Sequence, residues 1–386
     1  GGTASGLGFL ADQLSSYLTG TAAGRRYLAQ IVTQTPGAKT SDPDVIANAL
    51  RDLANVDLGP QLSRLTVPLH VVFAVGSDAQ QAAAITRRFR EAYAAFRDGG
   101  WNGIPFDPNY GGMGLPLSIA NACSELWNSA NMGFALCSML TQGAIDAIGA
   151  HGSDDLKDIY LEKLVTGHWT GTMNLTESQA GSDLSQIRTQ AVREGERYLI
   201  TGQKIFISHG EHNFTENIVH MVLARTPDGA DGIKGLSLFV VPKFLVKDDG
   251  ALGDRNDLRC VSLEHKMGIN ASPTCVMSFG DDGGAEAYLV GEENRGIEYM
   301  FTMMNNARLA IGLEGVGVAE RAYQHARDYA AERKQGQALD GTDGSVAIDR
   351  HPDVRRMLLS MRAQTEATRA LAYYVAAALD AAKRHE

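Results

Sequence analysis

The chain has no CxxC pair and only four cysteines, Cys123, Cys137, Cys260 and Cys275, spaced too widely for the disulfide framework of a small secreted domain. Such usage points to a reducing, cytoplasmic setting. No apolar run approaches the ~18 residues that would cross a bilayer, so no membrane span is expected. The opening GGTASGLGFL lacks both the charged start of a signal peptide and an initiating Met. A basic tail is missing as well. With 35 Lys+Arg against 45 Asp+Glu the formal charge is −10, which argues against nucleic acid as a partner. No P-loop or GxGxxG follows a strand, so a nicotinamide Rossmann site has no support. HExxH is absent. His209-Gly210-Glu211-His212 has no third ligand spaced with it, so a loop histidine is the simpler reading and no metal is expected.

What is present is an ordinary globular composition, 386 residues with 44% hydrophobic and 21% charged, enough for two or three domains. Residues 1–89 alternate helical segments with one buried-strand candidate, Leu65 to Val75, closed by Gly76-Ser77-Asp78. Helical spacing through Phe89 and Tyr93 stops at Asp98-Gly99-Gly100, and Trp101 to Gly114 reads as an ordered loop rich in Gly, Pro and Asn. Leu117 to Val165 is helical with short breaks. From Thr170 to Val290 the period changes to short β runs: Tyr198–Thr201, Ile205–Ser208, Ile218–Ala224, Leu236–Val241 and Thr274–Phe279. Helices return at Ile297–Lys334 and Val354–Lys383, separated by the polar stretch Gly336–Asp349. The expected fold class is α+β: an α/β segment (1–90), a partial helical domain (91–169), a β domain (170–290) and the start of a second helical domain (291–386).

Two segments could carry chemistry. Met173-Asn174-Leu175-Thr176-Glu177-Ser178-Gln179-Ala180-Gly181-Ser182-Asp183 concentrates hydroxyls and small residues in a turn, where glycine lets the backbone approach a polar ligand. The plainer alternative is a Ser/Thr or Asx turn with Ser182 or Asp183 as a helix cap. The second segment, Gly202-Gln203-Lys204-Ile205-Phe206-Ile207-Ser208-His209-Gly210, is a strand whose period-two alternation places Phe206 and Ser208 on one face. An aromatic face beside a hydroxyl suits a planar heterocycle; the plainer alternative is a half-buried edge strand.

Taken together, the two segments resemble the flavin-binding signatures of acyl-CoA dehydrogenases, near L-T-E-P-x-A-G-S-D and G-x-K-x-W-I-T-x-G. Gly235 to Pro242, Glu264-His265-Lys266-Met267-Gly268, Asn305-Asn306-Ala307-Arg308 and Glu332-Arg333-Lys334-Gln335-Gly336 follow in the family order. FISHG and EHKMGINASPTCVM look most like the long subfamily that includes 3-methylmercaptopropionyl-CoA dehydrogenase. The resemblance implies FAD lined by Met173, Leu175, Thr176, Gly181, Ser182, Phe206, Ile207 and Ser208. In it, Ser182 also lies near the CoA moiety, Phe206 packs on the isoalloxazine and the Ser208 hydroxyl points near N5. Ser178, Phe206 and Ser208 replace the usual Pro, Trp and Thr. Arg308 is implied at the CoA or acyl entrance, its plainer reading a surface ion pair. Arg333 and Gln335 are implied to reach the FAD of a neighbouring subunit, hence a homo-oligomer, the plainer reading being a solvated helix end.

The implied reaction is desaturation of an acyl-CoA to its trans-2-enoyl-CoA, with electrons passing to an acceptor such as an electron-transfer flavoprotein. No catalytic base is assigned. The usual Glu lies downstream of Glu386, and the alternative position, one before the conserved Arg, holds Ala307. Glu298 and Glu314 are near in sequence but inherit no role. The chain is expected to be a fragment or a fusion, and a non-catalytic remnant or interaction module is one alternative reading. Another comes from residues 1–90, which resemble the late part of an α/β-hydrolase, with Gly1-Gly2 just after a nucleophile elbow and Asp78 as a triad acid.

Overall fold

The structure, a computed structural model, describes residues 79–247 and 249–383. The chain divides into a unit of residues 1–68 and a unit of residues 69–386, and every described residue belongs to the second. The strand expected at Leu65–Val75, the hydrolase resemblance of residues 1–78 and the proposed triad acid Asp78 lie outside the described residues.

Helix α1, Ala79–Asp98, places Phe89, Tyr93 and Phe96 at i, i+4 and i+7 on one face. Tyr93 and Phe96 are buried, and the helix ends where Gly100 takes a left-handed φ of 71°. The following loop is ordered by its own polar groups. Asn102 is buried and donates to the Leu164 carbonyl at 2.8 Å. Gly112 has to be glycine, because a Cβ there would lie 2.1 Å from the Phe106 carbonyl oxygen.

Helix α2, Leu117–His151, is two helices joined at Asn131, whose φ of −159° and ψ of 92° are not helical. The break is capped from both sides. Asn131 Oδ1 accepts from the Phe134 N–H at 3.2 Å, and Arg321 donates to the Ser129 and Ala130 carbonyls at 3.2 and 2.8 Å. Pro116 cannot cap the start of α2 with its side chain. Instead Asp380, far along the chain, accepts from the Leu117 and Ser118 N–H groups at 2.6 and 3.0 Å. Helix α3, Asp154–Val165, begins at a Ser153 cap followed by Asp154 and Asp155, as the helix dipole favours.

Ten strands follow: β1 Trp169–Asn174, β2 Gln190–Glu194, β3 Arg197–Ser208, β4 Asn217–Arg225, β5 Leu236–Pro242, β6 Phe244–Val246, β7 Leu252–Arg255, β8 Leu258–Leu263, β9 Thr274–Phe279 and β10 Ala285–Val290. Eight of them form one sheet in the order β1-β4-β5-β10-β3-β9-β8, with β2 bonded to β3 and β4. β1 and β4 run parallel, while β4–β5, β5–β10, β10–β3, β3–β9 and β9–β8 are antiparallel. β4 and β5 are buried along nearly their whole length, which is why both read as mainly apolar runs, interrupted inside by His220 and Ser237, rather than alternating ones. Gly171 lets α2 settle on β1, since a Cβ there would stand 2.4 Å from that of Ala144.

Helices α4, Gly296–Glu332, and α5, Pro352–Lys383, complete the described part. α4 packs along α2 and α5 against both. One charged knot joins all three: Arg369 of α5 reaches Glu125 of α2 and Glu320 of α4, each at 2.7 Å, while Tyr373 donates to Glu125 at 3.1 Å. The helical, β, helical order expected from the sequence is the observed one. The polar stretch before α5 is loop with one short 3-10 turn.

Candidate functional site

Met173 and Asn174 end β1, and Leu175 to Asp183 form the turn. Besides the Lys204–Glu177 pair, three hydrogen bonds fasten β1 and the turn to β3. The Thr172 hydroxyl donates to the Ser208 carbonyl at 2.9 Å, the Ile205 N–H to the Thr176 carbonyl at 2.9 Å, and Lys204 Nζ to the Leu175 carbonyl at 3.0 Å. The two sequence segments singled out above are therefore in direct contact.

The second of these bonds alters the strand. β3 pairs with β9 from Gly202 to Lys204 and again at Ile207 and Ser208, with a register shift between. Within the shift the Ile205 N–H points at the turn, so two residues of β3 bulge out. Phe206 sits in this bulge at a φ of 62°, a left-handed conformation that costs a non-glycine residue roughly 1–3 kcal/mol. The residue is 58% exposed. Simple alternation therefore fails across the bulge, because Lys204 and Ile207 are both buried. Beyond it alternation resumes, leaving Phe206 and Ser208 on the outer side of buried Ile207.

The junction is held by a buried ion pair. Lys204 is fully buried, and its Nζ lies 2.8 Å from Glu177 Oε1. Glu177 further accepts from the Thr189 hydroxyl and N–H at 2.5 and 3.1 Å, the Arg188 N–H at 2.8 Å and Gln179 Nε2 at 2.6 Å. Burial pushes this carboxyl up, but the Lys204 charge and the surrounding donors outweigh it and hold the group at about 2. Burial pulls the Lys204 ammonium down to about 8, with Glu177 opposing. Both groups are charged at neutral pH.

Beyond Ser208 the strand ends in a buried histidine. His209 has a φ of 52° and its N–H donates to the Pro273 carbonyl at 2.8 Å. The ring of His212 stacks on Phe214 at 3.7 Å between centroids, and its Nε2 meets the Thr170 hydroxyl at 3.0 Å. Phe214 lies 4.9 Å from both Phe89 and Tyr93, which ties this end of the site to α1. Burial lowers His209 to about 4 and His220, on β4, to about 3.

The other expected residues fall as follows. Gly181 and Ser182 are exposed, Met173, Leu175, Thr176 and Ser208 are half-buried, and the Ile207 side chain lies in the core with Cys275 and Met277. Asp183 also plays the capping role, accepting from the Ser185 N–H at 3.0 Å ahead of a short 3-10 turn. Arg308 is exposed on α4, bonded to Asn305 at 3.2 Å with its guanidinium 5.3 Å from the Phe301 ring centre, and forms no ion pair among the described residues. Arg333 and Gln335, just past the end of α4, are exposed and bond to each other at 3.1 Å. Glu298 is exposed and paired with Arg295, whereas Glu314 is 7% exposed and burial raises its carboxyl to about 7. Lys204, Glu177 and Thr172, which join the two segments, were not among the residues picked out from the sequence. The signal for Lys204 was a lysine between strand residues four before Ser208, and for Glu177 a carboxylate amid backbone-binding hydroxyls.

Comparison with known proteins decides the family. The acyl-CoA dehydrogenase N-terminal domain matches residues 72–168, the middle domain 172–281 and the C-terminal domain 294–386. The chain belongs to the acyl-CoA dehydrogenase family. It is 55% identical over 297 residues to 3-methylmercaptopropionyl-CoA dehydrogenase of Ruegeria pomeroyi, covering 76% of this chain and 50% of that one. To an acyl-CoA dehydrogenase of Bacillus subtilis it is 31% identical over 280 residues, covering 72% and 67%. The fold is that of butyryl-CoA dehydrogenase from Megasphaera elsdenii, with a TM-score of 0.63 at 22% identity and 80% of each chain covered. The chain thus spans about half the length of the Ruegeria relative. Along this sequence the family's N-terminal domain takes in α1 to α3, the middle domain β1 to β9 apart from the first residues of β1, and the C-terminal domain α4 and α5. No helix among the described residues is long and apolar enough to cross a membrane.

Proposed function

We propose that this chain supplies the flavin-binding part of an FAD-dependent enzyme that desaturates an acyl-CoA thioester to the trans-2-enoyl-CoA. The observation that carries the reading is the hydrogen-bonded junction of the Leu175–Asp183 turn with the Lys204–Ser208 bulge, which presents Phe206 beside an open, glycine-containing turn. The residues fit a flat aromatic cofactor. An exposed ring held in a strained backbone has no packing role of its own, and Gly181 leaves the turn free of a side chain. When bound, FAD supplies the two-electron acceptor for hydride leaving the acyl β carbon.

In this reading Phe206 offers its ring face, Ser208 its hydroxyl, and Met173, Leu175 and Thr176 the adjoining wall. Gly181 and Ser182 border the cofactor, Ser182 also near CoA, and Ile207, with its side chain in the core, contributes through its backbone. Arg308, exposed and without a carboxylate partner among the described residues, meets a phosphate or other polar group of CoA. Arg333 and Gln335 face the FAD of a second copy in a homo-oligomer, and an electron-transfer flavoprotein takes the electrons. The four free thiols suit a cytoplasmic setting. The Ruegeria relative's name directs the first substrate choice to short acyl chains bearing a thioether.

The test is optical. Purified protein mixed with FAD and freed of excess should retain a flavin absorbance band, bleached anaerobically by 3-methylmercaptopropionyl-CoA or butyryl-CoA. A protein that stays colourless after incubation with FAD overturns the reading.

A further inference from the structure

We infer that Glu177 and Lys204 are positioning residues for the flavin site, acting through the Phe206 bulge rather than by touching the cofactor. The inference rests on the flavin reading above and deepens it. Three observations lead to it. First, the pair is out of solvent, with the Lys204 side chain 0% and the Glu177 side chain 5% exposed, so it has no part in solubility or long-range attraction. Second, it spans the two segments and ties in the approach to β2. Lys204 bonds Glu177 and the Leu175 carbonyl, while the remaining acceptor sites of Glu177 gather Gln179 from the turn and Arg188 and Thr189 from the residues just before β2. Third, the bulge begins immediately after Lys204, and the bond that diverts the strand from β9 runs from Ile205 to Thr176, the neighbours of the two charged residues.

Those facts combine into one mechanical account. A strand pairing freely with β9 would carry its N–H at Ile205 into the ladder and leave Phe206 in ordinary β conformation. Here the Lys204–Glu177 pair pins the turn against the strand, Thr176 captures the Ile205 N–H, and Phe206 is forced to a φ of 62° with its ring outward. A buried pair is weak evidence for stability, since its desolvation offsets much of its attraction. Its value here lies in register, which a single strong, directional contact specifies.

The test uses the full chain and two variants. Glu177→Gln/Lys204→Met removes both charges together, so neither is left buried alone, and Gln keeps one oxygen to accept from Thr189 while its NH2 takes the place of the oxygen that accepted from Arg188 and Gln179. Thr189→Val keeps the ion pair and removes one donor to Glu177. FAD affinity is read by quenching of flavin fluorescence, the shape of the bound flavin spectrum by absorbance, and folding of the FAD-free protein by circular dichroism and its thermal midpoint. The expected result is a double variant that melts within a few degrees of the wild type yet binds FAD at least ~10-fold more weakly with a shifted flavin band. Thr189→Val should move the same way by a smaller factor. Should the double variant fail to fold, the Thr189→Val measurement decides: unchanged affinity and spectrum overturn the inference. Variants that bind like the wild type sink the positioning role while leaving the flavin reading intact, whereas a wild type that binds no FAD sinks both.

Discussion

Lowering the pH from 7 to 5 should weaken the folded chain by about 4 kcal/mol through two histidines alone. His209 and His220 are buried, and burial is the chief cause that lowers them, to about 4 and about 3. In the unfolded chain each returns to about 6.5. Between those values the unfolded state binds the extra protons, so stability rises with pH and is lost as pH falls below 6.5. At pH 5 the gap is about 1.5 units for each, worth about 2 kcal/mol per histidine at 1.36 kcal/mol per unit. His212, lowered well below its ordinary value by burial, adds in the same direction. Glu177 also loses stability on acidification, but only below about 4.5, so it stays outside this window, whereas Glu314, raised by burial to about 7, binds its proton more readily when folded and gives back about 2 kcal/mol over the same change. The assay is urea unfolding at pH 7, 6 and 5, repeated with His220→Gln. Comparing each protein with itself cancels any general cost of the substitution, and the variant's pH 7 to 5 difference should shrink by about 2 kcal/mol. A variant that keeps the full wild-type difference refutes the argument.

Two further substitutions probe the site and the scaffold separately. Phe206→Ala should reduce FAD affinity measured by fluorescence titration while leaving the melting temperature nearly unchanged, because the side chain is exposed and alanine keeps the same backbone strain; Phe206→Trp should bind FAD about as well as the wild type. Equal affinity in the Ala variant would remove Phe206 from the cofactor face. Arg369→Met leaves Glu125 buried and Glu320 without its cation, and should cost about 3 kcal/mol in urea unfolding, the low end of the range for a broken buried pair because Arg369 is partly exposed. Adding Glu125→Gln should recover part of it, and a loss under about 1 kcal/mol in the single variant would show that the three helices do not depend on this knot.

The fold was legible where burial and period agree. Thr274–Phe279 is a strand over the expected residues, and β4 and β5 extend the apolar runs Ile218–Ala224 and Leu236–Val241 by one or two residues. The second helical region is also close, with α4 ending at Glu332 rather than Lys334. Half of the kink at Asn131 is local, since Asn131 itself accepts from the Phe134 N–H, but the carbonyls it frees are held by Arg321, nearly two hundred residues on, and no local pattern carries that. Asp380 capping α2 is invisible for the same reason.

At the site the same division has a consequence for chemistry. The residue types of the Thr176–Ser182 and Phe206–Ser208 segments left plainer readings open, and it was the resemblance of the two motifs, taken in order, that pointed to the family. Their arrangement was not legible. Period-two reasoning assigns Lys204 and Phe206 to one face, yet the lysine is buried and the ring exposed, because a hydrogen bond from another segment interrupts the ladder between them. A lysine at 0% exposure runs against every compositional expectation. It is tolerated only because Glu177 arrives from the neighbouring turn with its other acceptor sites already satisfied. The least polar-looking explanation for Phe206, a loose aromatic on an edge strand, therefore fails on energetic grounds: a left-handed phenylalanine would relax into the β9 ladder unless the turn held Ile205 away from it.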